Sequence, residues 1–232
     1  MGGPGHLGAR WWAVSLALGL FAASAVTTTA HTTIEAQTRR GFTAAERASL
    51  EAGRLVMRRR EERRGALVHF GGTSFQVVDR PIVDVWLALQ DPSSYRNLLP
   101  QVASVRTVRR VGREATVRLE HSYGLVHATY HLRFRFDPAR HDVSFDLDPS
   151  LPHDIHSATG FATLSPWPGR DDRTLISWGI LAAIDEGIVS AMIRPQIHDW
   201  MLRVPATMRA HLHGAGRTQY VADRGGQRPT IR

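Results

Sequence analysis

The chain has 232 residues and a formal net charge of +8, and every one of its 29 basic residues is an arginine. That length accommodates one domain of ordinary size with appendages. There is no cysteine, which excludes a disulfide scaffold, a Cys-ligated metal, a thiol nucleophile and a lipid-modified N-terminal cysteine.

At the N-terminus Arg10 precedes an apolar run over residues 11–26, shorter than the roughly 20 residues that span a bilayer. Ala23-Ser24-Ala25 is a small-x-small cleavage site, and Thr28-Thr29-Ala30 is a second candidate. The pattern predicts a secretory signal over residues 1–25, cleaved as late as residue 30, in an exported protein, periplasmic or secreted. The competing reading is an uncleaved anchor. Residues 26–64 read as an N-terminal extension. Thr43 and Glu46 have capping-box spacing, and the short helix they start ends at Gly53. Then follow Arg58-Arg59-Arg60-Glu61-Glu62-Arg63-Arg64-Gly65. One reading of this cluster is a docking patch for a transient contact with an anionic membrane surface, through Arg58, Arg59, Arg60, Arg63 and Arg64. The other is a solvated hairpin tip partly neutralised by Glu61 and Glu62.

A domain is expected over residues 65–214. Residues 66–70 and 75–78 read as strands, with Gly71-Gly72 as a turn between them. Pro81 suits a helix start, and Ile82, Val85, Trp86 and Leu89 recur at helical spacing. A second short helix carries Tyr95, Leu98 and Leu99 and stops at Pro100. Beyond residue 102 the period becomes two. Val117, Leu119, His121 and Tyr123 share one strand face. After a turn at Gly124, so do Val126, Ala128, Tyr130, Leu132, Phe134 and Phe136, and later Val143, Phe145 and Leu147. Residues 155–164 and 174–184 are looser strands, the second centred on Trp178. Alternation at regular spacing means an antiparallel sheet with one wet face and one dry face that needs a cover.

The cover is a long amphipathic helix over residues 188–212, with Val189, Ile193, Ile197, Trp200, Val204, Met208 and Leu212 on one stripe and Met192 and Met201 widening it. Pro195 and Pro205 each remove a backbone donor and kink it. His198 and Asp199 read as surface groups. From residue 215 onward the chain reads as a basic, disordered tail. The architecture is α+β: a curved antiparallel sheet wrapped around a long C-terminal helix, with two short helices after the first core strand.

Val78-Asp79-Arg80-Pro81, the run from Val85 through Asp91, Tyr95, Leu98-Leu99-Pro100, Gly160 before Phe161-x-Thr163, and the proline-bearing C-terminal helix together resemble START-like proteins. This superfamily includes polyketide cyclases/dehydrases and coenzyme Q-binding START proteins. The resemblance implies a helix-grip fold with an apolar cavity between sheet and helix, and a lipid or other hydrophobic small molecule as ligand.

The inward-facing residues are then the candidate ligand contacts: His121, Tyr123, Tyr130, Leu132, Phe134, Phe145 and Leu147, with Phe161 and Trp178 from the looser strands. Met192, Trp200, Met201 and Met208 face them from the helix. Methionines and aromatics line adaptable apolar sites. His121 and Tyr123 form the one pair suited to acid–base chemistry, the alternative being a cyclase/dehydrase-type enzyme. His127 and His131 lie about 13 Å apart on a strand and cannot chelate one ion together. No metal site or cofactor is expected. No nucleic-acid partner is expected either, because the arginines lack interleaved exposed aromatics.

Overall fold

The computed structural model describes residues 41–123, 126–184 and 193–221. The signal segment, Met192 and residues 222–232 therefore lie outside the described residues. Helix α1 (Ala44–Glu51) opens with the expected capping box: the Thr43 amide donates to Glu46 at 2.8 Å and the Glu46 amide to the Thr43 hydroxyl at 3.2 Å. Strand β1 (Val56–Arg64) and strand β2 (Leu67–Val78) follow. Two short helices, α2 (Ile82–Leu89) and α3 (Tyr95–Leu98), are linked by a 3-10 turn. Strands β3 (Val102–Val111), β4 (Glu114–Tyr123), β5 (Val126–Asp137), β6 (Asp142–Leu147), β7 (Ile155–Trp167) and β8 (Arg170–Ile184) complete one eight-stranded sheet. Its order is β1-β2-β8-β7-β6-β5-β4-β3 and every described pairing is antiparallel. The sheet curves around two helices, α4 (Arg194–Leu202) and α5 (Val204–His213), in the α+β arrangement expected from the alternation and the helix grip implied by the resemblance.

Two local expectations fail. The arginine cluster is the first strand of the expected hairpin and not its tip: it runs as β1, and the chain turns at Gly65 and Ala66. Alternation gives opposite charge to both of its faces. Arg60 and Arg64 meet Glu62, and Arg58 meets Glu46, while on the other face Arg59 pairs with Asp199 of α4. Gly71 and Gly72 are not a turn but the interior of β2. A side-chain carbon there would sit 2.0 Å from the Ile180 carbonyl oxygen at Gly71, and 2.1 Å from that of Arg58 at Gly72. The bare backbone lets both neighbouring strands close in at this bend. The Gly71 carbonyl accepts a hydrogen bond from His198 Nε2. His198 is therefore buried rather than a surface group, and Asp199 is spent on Arg59 and Arg203.

The outer face of the sheet is not wholly wet. Leu50 of α1 packs there with Phe75, Val77 and Trp167, and the Arg58 guanidinium lies 5.4 Å from the Phe42 ring centroid and 5.0 Å from that of Phe75. The hydrogen bond from Arg58, then that from the Thr43 amide, holds the Glu46 carboxyl down at about 2. At the other end the chain stays packed beyond α5. Tyr220 is buried in the main core and its hydroxyl donates to Asp91 Oδ2 at 3.3 Å.

The expected long helix is interrupted at Arg203, which ends α4 and starts α5. Pro205 is the cause. In an unbroken helix its amide would donate to the Met201 carbonyl four residues back, but proline has no N–H and its ring crowds that carbonyl. The freed carbonyl accepts instead from the indole Nε1–H of Trp178 on β8, at 2.8 Å. Trp178→Phe removes that donor and is expected to cost about 1–3 kcal/mol for the orphaned carbonyl. Pro205→Ala restores an amide donor, so adding it to Trp178→Phe should recover part of the loss. Urea unfolding of the two single variants and the double variant measures the coupling; strictly additive costs would refute this account of the break.

Candidate functional site

Between the concave sheet face and helices α4 and α5 lies a cavity of about 150 Å³, roughly ten times the 10–15 Å³ that admits one water. Tyr95, Phe134, Phe145 and Trp178 form its aromatic floor, a chain of rings with successive centroids 5.1, 5.5 and 5.1 Å apart. The floor has room because β7 is bare on this face. A side-chain carbon on Gly160 would lie 2.3 Å from Phe145 Cζ, and the flanking inward residues are Ala158 and Ala162. Val204 and Met208 of α5 close the bottom, and Ile197, Trp200 and Met201 of α4 form the wall.

Of the expected ligand contacts, the cavity brings together His121, Tyr130, Leu132, Phe134, Phe145, Trp178, Trp200, Met201 and Met208. Phe161 is misassigned: it packs with Leu181 on the opposite face of the sheet. The inward positions of β7 are Ala158, Gly160 and Ala162, whose small side chains carry no alternation signal. Leu147 is in the core opposite Leu132 but does not border the cavity. Tyr123 ends β4, and its side chain, like Met192, lies outside the described residues. Sequence reasoning missed the contribution of the two short helices, Leu89, Tyr95, Leu98, Leu99, Pro100 and Gln101. Their apolar spacing was visible, but not that the connection turns them over the cavity.

The polar feature of the lining is a pair. Across the β4–β5 ladder Leu119 opposes Tyr130 and His121 opposes Ala128, so His121 and Tyr130 are diagonal neighbours on one face. Their rings stack with centroids 5.5 Å apart and planes 7° apart, and the Tyr130 hydroxyl and His121 Nε2 are hydrogen-bonded at 2.8 Å. Among the described side chains the partner of His121 is thus Tyr130; the expected partner, Tyr123, has its side chain outside the described residues. Burial holds the His121 imidazole down at about 4, so it is neutral at physiological pH. Burial likewise raises the Tyr130 hydroxyl well above the usual phenol range. The other polar groups near the floor are spent: Tyr95 donates to the Leu89 carbonyl at 2.8 Å, and Trp178 to that of Met201.

The fold is the START-like helix grip, with an apolar cavity between the sheet and the helices. A STAR-related lipid transfer protein from Xanthomonas axonopodis is similar in structure, with 18% identity and a TM-score of 0.54 over 67% of this chain and 92% of that one. A protein of Thermus thermophilus superposes with a TM-score of 0.53 at 14% identity, over 62% of this chain and 97% of that one. A START superfamily protein of Mycobacterium smegmatis gives 0.50 at 13% identity, over 62% and 97%. No protein-family model and no curated protein matches the sequence.

The buried imidazole has a measurable signature. In the unfolded chain a histidine titrates near about 6.5, whereas folded His121 titrates at about 4. Above the first value both states are neutral and nothing is lost. As pH falls between the two, only the unfolded chain takes the proton and stability declines. Proton NMR should place the His121 ring midpoint near 4, with the resonance assigned by its loss in His121→Gln; a midpoint near 6.5 would mean that the pair is fully hydrated.

Proposed function

We propose that this is an exported binding protein that holds a lipid or other hydrophobic small molecule in the cavity between the sheet and helices α4 and α5. The observation that carries the reading is the cavity itself, which is lined by aromatic, aliphatic and methionine side chains and is not filled by them. An internal space of this kind leaves its walls without contacts. A well-fitting apolar guest restores them and leaves water. The Xanthomonas protein, described as a lipid transfer protein, supports the fold; a lipid ligand comes to this chain as part of the proposal.

Native mass spectrometry of protein recovered from its own compartment should find a co-purifying hydrophobic molecule, and the uncharged dye Nile red should bind with enhanced fluorescence. Ala158→Phe places a ring where the floor is bare. It should weaken Nile red binding at least tenfold, while circular dichroism shows the fold retained. Unchanged dye binding in that variant would place the dye, and the reading, elsewhere.

Export is proposed from the N-terminal pattern of Arg10, the apolar run and Ala23-Ser24-Ala25. N-terminal sequencing of the mature protein should begin between residues 26 and 31; an intact Met1 on soluble cytoplasmic protein would exclude it.

One observation favours a second reading, a cyclase/dehydrase-type enzyme in the same cavity: the His121–Tyr130 contact joins a neutral base to a phenol. It predicts turnover of a hydrophobic substrate in this cavity that His121→Ala abolishes while binding persists. Binding without turnover in the wild type leaves the first reading alone.

A further inference from the structure

We propose that the cavity selects an uncharged ligand and docks a single polar oxygen of it, a hydroxyl or a carbonyl, against the His121–Tyr130 pair, excluding carboxylates of the same shape. This rests on the binding reading above and adds the chemistry of the ligand.

No charged side chain borders the cavity among the described residues. Of the polar groups that do, Tyr95 and the Trp178 indole are committed to backbone carbonyls, and Gln101 lies on the exposed rim. The Trp200 indole belongs to the half-buried wall, and the His121–Tyr130 pair is the hydrogen-bonded polar pair on the sheet side of the lining among the described residues. Both rings are enclosed deeply enough for burial to shift their titration, yet both keep accessible surface. Both residues border the cavity.

Their mutual hydrogen bond does not exhaust them. A neutral imidazole has one donor and one acceptor, and a phenol has one donor and an oxygen with two lone pairs. If the Tyr130 hydroxyl donates to Nε2, the Nδ1–H stays a donor and the phenol oxygen can still accept. If Nε2–H donates to the phenol, the hydroxyl hydrogen stays a donor and Nδ1 can accept. Each tautomer leaves one donor and one acceptor, which suits a hydroxyl or a carbonyl. A carboxylate fares differently. It would lose its hydration among apolar walls with no cation to replace it, and the neighbouring imidazole is neutral.

The test uses three probes of one shape: naphthalene, 2-naphthol and 2-naphthoate, bound to the full-length mature protein at neutral pH and followed by isothermal titration calorimetry. The expectation is that 2-naphthol binds about fivefold more tightly than naphthalene, the order of one neutral hydrogen bond. 2-Naphthoate should bind at least about a hundredfold more weakly than 2-naphthol, as for an unpaired buried charge. Tyr130→Phe should shrink the naphthol preference, and Tyr130→Phe combined with His121→Phe should bring the naphthol-to-naphthalene ratio to one. Equal binding of 2-naphthoate and 2-naphthol overturns the proposal, as does a naphthol preference that survives both Tyr130→Phe and His121→Phe. If none of the three probes binds, the binding reading itself fails and this inference falls with it, so the two failures are distinguishable.

Discussion

The hydrogen bond from the Trp178 indole to the Met201 carbonyl is the hinge of the structure. Pro205 breaks the C-terminal helix and leaves that carbonyl without its intrahelical donor, and a buried unpaired carbonyl costs more than the hydrogen bond it would make is worth. The donor that satisfies it comes from the middle of the sheet. The break in the helix and the centre of β8 are therefore fixed to one another. Because the helix is broken into two pieces, α5 can seal the bottom with Val204 and Met208 while α4 stands as a wall. The same indole stacks on Phe145, and Phe145 has its place because Gly160 offers no side chain. One proline, one tryptophan and one glycine together keep the cavity from collapsing.

Much of this was legible in the sequence, and the reasons are specific. Strands β4, β5 and β6 alternate strictly, so the inward positions of His121, Leu132, Phe134 and Phe145 follow from period alone. The stripe on the C-terminal helix identified Trp200, Met201 and Met208, and Pro205 announced a kink, whereas Pro195 only opens α4. Strand β7 was opaque because its inward face is Ala158, Gly160 and Ala162. A face defined by small residues leaves the one bulky neighbour, Phe161, as a false signal. The hidden feature of the histidine was its partner. Tyr123 shares its strand face at a spacing of two, but the ladder places Tyr130 diagonally opposite.

Charge was misread for a related reason. A run of five arginines and two glutamates looks like one patch when written in a line. On a strand it divides into two faces, and each meets its own counter-charges, on Glu46 and Glu62 or on α4. Isolated exposed pairs of this kind contribute little stability. Here they do something else: Arg59 ties the edge strand to the helix wall through Asp199, and Arg58 ties α1 to the outer face of the sheet. The basic cluster is built into the framework of the grip.

The His121–Tyr130 pair then sets how a cavity of this kind can discriminate. Apolar walls alone rank guests by size and contact, since removing one methylene from a hydrophobic fit changes binding only modestly. A buried polar pair with capacity to spare changes the ranking, because a guest lacking the matching oxygen leaves donor and acceptor unpaired. Neutrality is part of the same device. An imidazole that stayed protonated would attract an anion into the cavity, whereas one kept neutral by its apolar surroundings rejects it. The walls that make the cavity hospitable to hydrophobic molecules thus also set the charge state of its polar group. A substitution that wetted those walls would be expected to change the charge preference as well as the affinity.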